Sequence, residues 1–115
     1  MALQKSYADS FGVTHSEAYF KISAIEHSRN SSGNSAVIRI ECFHSAASRN
    51  TTPPKSVLAS YLYTIVGSDY NTYFDLSILD VANSNEFKQG YAFLKAHTPD
   101  QTRNELDFTT GTTDV

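Results

Sequence analysis

One cysteine, Cys42, stands in the whole sequence. A lone thiol excludes an intrachain disulfide and any zinc site of the C-x-x-C kind, which needs several thiolates. The fold must therefore be held by packing alone, and a reducing compartment is implied. No apolar run approaches the roughly 20 residues that span a bilayer. Met1–Ser10 has no apolar core of the kind a secretory leader carries, so no leader is expected. Charge of either sign is sparse: 9 Lys and Arg stand against 12 Asp and Glu, a net charge of −3. That balance provides no basic track, and a nucleic-acid partner is not expected. The nucleotide and hydrolase signatures G-x-x-x-x-G-K-[ST], G-x-G-x-x-G and G-x-S-x-G are missing. His15, His27, His44 and His97 are scattered, with no H-x-H or H-x-x-x-H pair, so no metal site and no cofactor are expected. Tryptophan is absent, and seven Tyr and seven Phe must supply much of the buried area.

What is present reads as one β-rich domain. With 115 residues the chain holds one core and not comfortably two. Residues 1–16 read as an N-terminal arm, a loop or a short edge segment, with Phe11-Gly12-Val13 as a short apolar knot. Residues 17–99 read as the domain proper, and 100–115 as a C-terminal arm. Glu17–His27 alternates Phe20 and Ile22 with Lys21 and Ser23, the period of a strand with one face buried. Ser28–Ser35 is a cluster of turn formers and predicts a projecting loop. Ala36–Ala46 is a second strand, with Ile38, Ile40, Cys42 and His44 on one face and Val37, Arg39, Glu41 and Phe43 on the other. Ala47–Pro54 ends on Pro53-Pro54, which cannot donate to a ladder.

Lys55–Gly67 is the longest β-like run. Its apolar residues fall on both faces, which predicts a central or doubly covered strand. Helix competes over Val57–Tyr63, but the Tyr, Thr, Ile and Val content favours strand. After the turn formers Ser68–Asn71, Thr72–Asp80 alternates Phe74, Leu76 and Ile78 with polar residues and predicts a fourth strand. Phe87–Thr98 is the one convincing helix, with Phe87, Tyr91 and Leu94 on a face and Asn83 or Ser84 as cap. Gly90 in its interior costs about 1 kcal/mol against Ala and implies a close backbone approach. The fold class that follows is mainly β: a small antiparallel β-barrel or sandwich of about four or five strands with one C-terminal helix.

Chemistry-bearing constellations are weak. Cys42 and His44 share a strand face, but neighbouring positions seldom give nucleophile–base geometry and no third orienting group is evident. Asp69, Asp75 and Asp80 match no calcium loop. Tyr19, Tyr61, Tyr63, Tyr70, Tyr73 and Tyr91 form the more telling set, either as core or as a platform for stacking bases or sugars. No catalytic residue is expected.

Two segments carry a resemblance. Phe11-Gly12-Val13-Thr14 followed by Ala18-Tyr19-Phe20-Lys21-Ile22, and Gly90-Tyr91-Ala92-Phe93-Leu94-Lys95, resemble small structural proteins encoded among the tail genes of tailed bacteriophages. The Lys55-Ser56 start of the third strand fits the same pattern, and the Thr-rich end after Pro99 departs from it. The resemblance implies a non-enzymatic virion protein of the tail, baseplate or fibre-attachment region, made in the bacterial cytoplasm. Its expected partners are other phage virion proteins and further copies of itself, with no membrane. Interface candidates are Asn30 and Asn34 in the hairpin, Arg49, Pro53 and Pro54 in the following loop, and Leu106 and Phe108 in the arm Leu106–Val115. Two alternatives stay open: a capsid decoration or cement protein, and a β-barrel module binding single-stranded nucleic acid or carbohydrate.

Overall fold

The computed structural model describes residues 2–9, 11–30, 33–43, 45, 59–80, 85–99, 103 and 105–115. The elements run β1 (Leu3–Ala8), β2 (Thr14–Asn30), β3 (Gly33–Phe43), β4 (Ala59–Val66), α1 (Gly67–Phe74), α2 (Leu76–Leu79), α3 (Glu86–Ala96) and β5 (Thr113–Asp114). The strands form one antiparallel sheet in the order β4-β3-β2-β1-β5. The mainly β antiparallel reading stands, but the barrel does not: no pairing of β4 with β5 closes the sheet among the described residues. Closure is not needed on the inner face, because the helices and the C-terminal segment cover it.

Alternation decides that face. Leu3, Phe20, Ile22, Ile38, Ile40, Cys42, Tyr63 and Ile65 point into one core with Tyr70 and Phe74 of α1, Tyr91, Phe93 and Leu94 of α3, and Phe108. Burying rings of this size contributes about 2–3 kcal/mol each. Several are arranged edge to face, as between Phe20 and Phe108, with centroids 5.1 Å apart. The opposite face mixes polar residues with a small buried cluster of Ala2, Tyr19 and Phe43 and, on β4, the exposed Leu62 and Val66.

α3 is seated by two devices. Asn85, not Asn83 or Ser84, is its cap: the Asn85 side chain accepts from the Lys88 amide at 2.8 Å. Residues 83 and 84 lie outside the described ones. The second device is Gly90. A Cβ there would sit 2.9 Å from Ile22 Cδ1 and 3.2 Å from Ile25 Cδ1, so the helix backbone lies directly on β2. Next to it, the Tyr91 hydroxyl accepts from the Ile22 amide at 2.8 Å. Ile22 lies past the last β1–β2 pair, Leu3↔Phe20, and beside a register shift in β2–β3. Tyr91 thus satisfies a buried amide that the sheet does not. Phe87 is 42% exposed, whereas Phe93 is buried, so the inward face is Tyr91, Phe93 and Leu94 rather than Phe87, Tyr91 and Leu94.

Other expectations are corrected. The N-terminal stretch, read as an arm, a loop or a short edge segment, contains the strand β1, with Leu3 fully buried. The projecting loop Ser28–Ser35 is mostly ladder, because pairing continues through Ser28↔Ser35 and Arg29↔Asn34 to Asn30↔Gly33. Among the described residues β4 has a strand on one side alone, β3, and so does not stand as the central strand expected. The fourth strand expected over Thr72–Asp80 is helical. Gly67, at φ 60°, turns the chain out of β4. The residues that follow bury Tyr70 and Phe74, one helical turn apart, against the sheet.

Candidate functional site

With Cys42 buried and its thiol pushed up to about 12 by burial, no thiolate nucleophile is at hand near neutral pH. His44, its expected neighbour, lies outside the described residues. No group of three or more His, Cys, Asp or Glu converges as a metal site among the described residues. Nor is any described helix long and apolar enough to cross a membrane. Three histidines pair with carboxylates. His15 meets Asp9 at 3.0 Å, His27 meets Glu86 at 2.8 Å, and His97 meets Glu105 at 2.7 Å. The last two join elements. His27 also meets the Tyr70 hydroxyl at 3.1 Å and so ties β2 to α1 and α3. His97 ties the end of α3 to Glu105, whose side chain is only 3% exposed. These are structural ties; His97 also lines a hollow of about 180 Å³ with Asp69, Tyr73, Phe93, Ala96 and Thr98.

Four of the six singled-out tyrosines are buried, Tyr63, Tyr70 and Tyr91 in the core and Tyr19 in the small cluster on the opposite face, and Tyr61 and Tyr73 pack against the core. Phe108 is 1% exposed, within the core of its own chain. Leu106 is held by Tyr63, whose hydroxyl donates to the Leu106 carbonyl at 3.0 Å and accepts from its amide at 2.9 Å. Burial pushes the Tyr63 phenol upward, so this clamp stays protonated at any ordinary pH. Asn30 ends the β2 ladder opposite Gly33, and Asn34 is exposed on β3 opposite Arg29. Arg49, Pro53 and Pro54 lie outside the described residues. Of the described candidates, Asn34 stands exposed beside the β2–β3 turn, whereas Phe108 lies in the core.

The surface that stands out is the β1–β2 hairpin tip. Phe11 is 91% exposed there and Val13 54% exposed. The chain at this point was legible as an apolar knot; its exposure was not. This turn is locked by its own hydrogen bonds. The Asp9 amide donates to the Val13 carbonyl at 2.9 Å, and the Gly12 amide to the Asp9 carbonyl at 3.1 Å. Gly12 takes φ 82°, open to glycine at no steric cost. The Asp9 carboxylate accepts from the Phe11 and Val13 amides at 2.9 and 3.0 Å and from His15 Nε2 at 3.0 Å. Those bonds, His15 first and then Val13, hold the Asp9 carboxyl below its ordinary value.

The sign of the pH effect follows. A depressed carboxyl stabilises the turn above its unfolded value of about 3.9 and loses that contribution as pH falls through the folded value. In an acid titration followed by NMR, the Phe11 and Val13 amide signals should stay fixed down to about pH 4 and move together below it. A midpoint above 4 would contradict the clamp.

A second apolar feature is a groove of about 440 Å³ between α3 and β5, lined by Lys88, Tyr91, Ala92, Lys95, Asp114 and Val115. Compared with protein-family models, curated proteins and solved structures, the chain matches none.

Proposed function

We propose that this protein is a non-enzymatic structural component of a tailed-phage virion, in the tail, baseplate or fibre-attachment region, and that it docks onto a neighbouring virion protein through the hairpin tip. The observation that carries the docking role is Phe11, 91% exposed on a turn locked by Asp9. An aromatic anchor that is already ordered binds without a further ordering cost, and such anchors dominate interface energetics. The virion assignment rests on the resemblance of Phe11–Thr14, Ala18–Ile22 and Gly90–Lys95 to small tail-gene proteins. The tip belongs to the first of these segments.

The test is incorporation into particles. Wild-type protein should copurify with virions at a fixed stoichiometry. Phe11→Ala should weaken incorporation by the roughly 2 kcal/mol or more of a hot-spot truncation, about 30-fold in affinity, with an unchanged circular dichroism spectrum. Incorporation of Phe11→Ala at the wild-type level would overturn the docking role. Absence of the protein from purified virions would overturn the virion assignment.

A further inference from the structure

The hairpin tip and the α3–β5 groove are two halves of one contact: we propose that Phe11 of one copy of this chain seats in the groove of the next copy, head to tail. Resting on the docking role of the tip, this contact gives the tip its partner, a second copy of the chain.

The groove has the size and the floor that the tip requires. Tyr91, Ala92 and Val115 make its lining chiefly apolar. Val115 is 47% exposed, so apolar surface there is left to cover. An apolar cavity of about 150 Å³ takes a benzene ring. A groove of about 440 Å³ has room for the Phe11 side chain with Val13 behind it. Both halves are ordered before they meet, which spares the contact an ordering cost. The tip is held by Asp9. In the groove, the Tyr91 hydroxyl is fixed on the Ile22 amide at 2.8 Å. Val115 is pinned by paired backbone bonds with Ala2, at 2.9 and 3.0 Å.

Charge makes the two halves specific for each other. Residues 8–20 hold Asp9 and Glu17 and no Lys or Arg. Asp9 sits at the base of the displayed ring, since its carboxylate accepts from the Phe11 amide at 2.9 Å. Even with His15 charged against Asp9, Glu17 leaves the turn acidic. The groove is rimmed by Lys88 and Lys95, two cations against the single carboxylate of Asp114, which Lys95 engages at 3.1 Å. A seated Phe11 therefore brings an anionic turn onto a cationic rim. An uncharged apolar partner would match the floor of the groove and not its rim.

One chain cannot close this contact on itself. β5 pairs with β1 at Leu3 and Gln4, whereas the tip follows the other end of β1, at Ala8. The 6 residues of β1 span about 17 Å of laddered strand. Anchor and acceptor thus lie at opposite ends of one strand. A contact between two different patches is heterologous, and repeating it builds a ring or a helical row rather than a two-fold dimer.

Sedimentation of the isolated full chain from about 1 μM to 1 mM should show species that grow past the dimer. In isotope-filtered NMR on mixed labelled and unlabelled chains, the Phe11 ring protons of one copy should lie against the Ala92 methyl of another. Phe11→Ala should weaken association about 30-fold. Ala92→Glu places a carboxylate on the groove floor, facing the incoming Asp9, and should weaken it at least as much. Both variants should keep the wild-type circular dichroism spectrum; if Ala92→Glu does not fold, Lys88→Glu on the exposed rim takes its place. At a concentration where wild type associates and neither variant does so alone, an equimolar mixture of the two should give one-to-one dimers and nothing larger. One intact tip still meets one intact groove in that mixture. The proposal is overturned if wild type stays monomeric, if it stops at a dimer, or if the groove variant associates as wild type does. A monomeric wild type whose Phe11→Ala variant is still lost from particles would mean that another virion protein takes the tip, so the docking role survives without this contact. Association through the groove with Phe11→Ala entering particles at the wild-type level would remove the docking role and leave the contact standing.

Discussion

Phe108→Ala should destabilise the isolated chain by about 3–5 kcal/mol, the range for emptying a buried aromatic site. The ring is 1% exposed and lies edge-on to Phe20 at 5.1 Å and tilted to Tyr63 at 6.3 Å. Domains of this size have about 5–15 kcal/mol in total, so this one side chain carries a large fraction of it. The denaturant midpoint should fall sharply, with the slope nearly unchanged. Tyr63→Phe acts on the same segment by a different route. It removes the hydroxyl that serves both the amide and the carbonyl of Leu106, at a cost of about 1–3 kcal/mol. The two variants share a segment and should not add. The contrast with an assembly arm is sharp. An arm that orders only on another subunit would leave the unfolding of the isolated chain untouched in both variants, and that result would remove residues 105–108 from the core.

The reason the C-terminal segment reads as an arm is that its anchors are isolated. Leu106 and Phe108 are the only large apolar residues between Pro99 and Val115, and two residues two apart do not make a period. What holds them is non-local: Phe20 and Tyr63 lie far back in the sequence. β1 is obscure for the same reason, since only Leu3 and Tyr7 mark its inner side. β2, β3 and α3 are legible because burial on one face is written along many residues, as in Ile38-x-Ile40-x-Cys42. The α1 segment misleads because Phe74, Leu76 and Ile78 alternate, and the competing Tyr70–Phe74 spacing gains weight only against a sheet face that needs covering. For the candidate site, Phe11-Gly12-Val13 is visible as a knot. Whether a phenylalanine in a turn points in or out depends on what packs nearby, which local sequence does not specify. The Asp9 clamp that holds it out is a short-range pattern, Asp9 bonding amides two and four residues on, and could have been sought as turn chemistry.

Gly90 should behave as a spacer whose removal is graded by size. Alanine there gains about 1 kcal/mol of helix propensity. Its Cβ must also displace Ile22 Cδ1 from 2.9 Å and Ile25 Cδ1 from 3.2 Å, and overpacking costs about 1–3 kcal/mol. Both atoms are the far ends of side chains that can turn, so Gly90→Ala should land within about 1 kcal/mol of wild type. Gly90→Leu has no such escape, because Ile38 Cδ1 closes the third side at 3.6 Å. α3 must lift, and the Tyr91–Ile22 hydrogen bond of 2.8 Å goes with it. The expected loss is about 2–4 kcal/mol, from overpacking together with an unsatisfied amide. Ile22→Val deletes the Cδ1 that the new methyl meets and on its own should cost about 0.5–1.5 kcal/mol. Combined with Gly90→Ala it should cost less than the sum, with a coupling of at least 0.5 kcal/mol in the stabilising direction. Unfolding of the four proteins in urea supplies the cycle. Strict additivity, or a Gly90→Leu variant as stable as wild type, would mean that α3 does not rest on β2 at this residue.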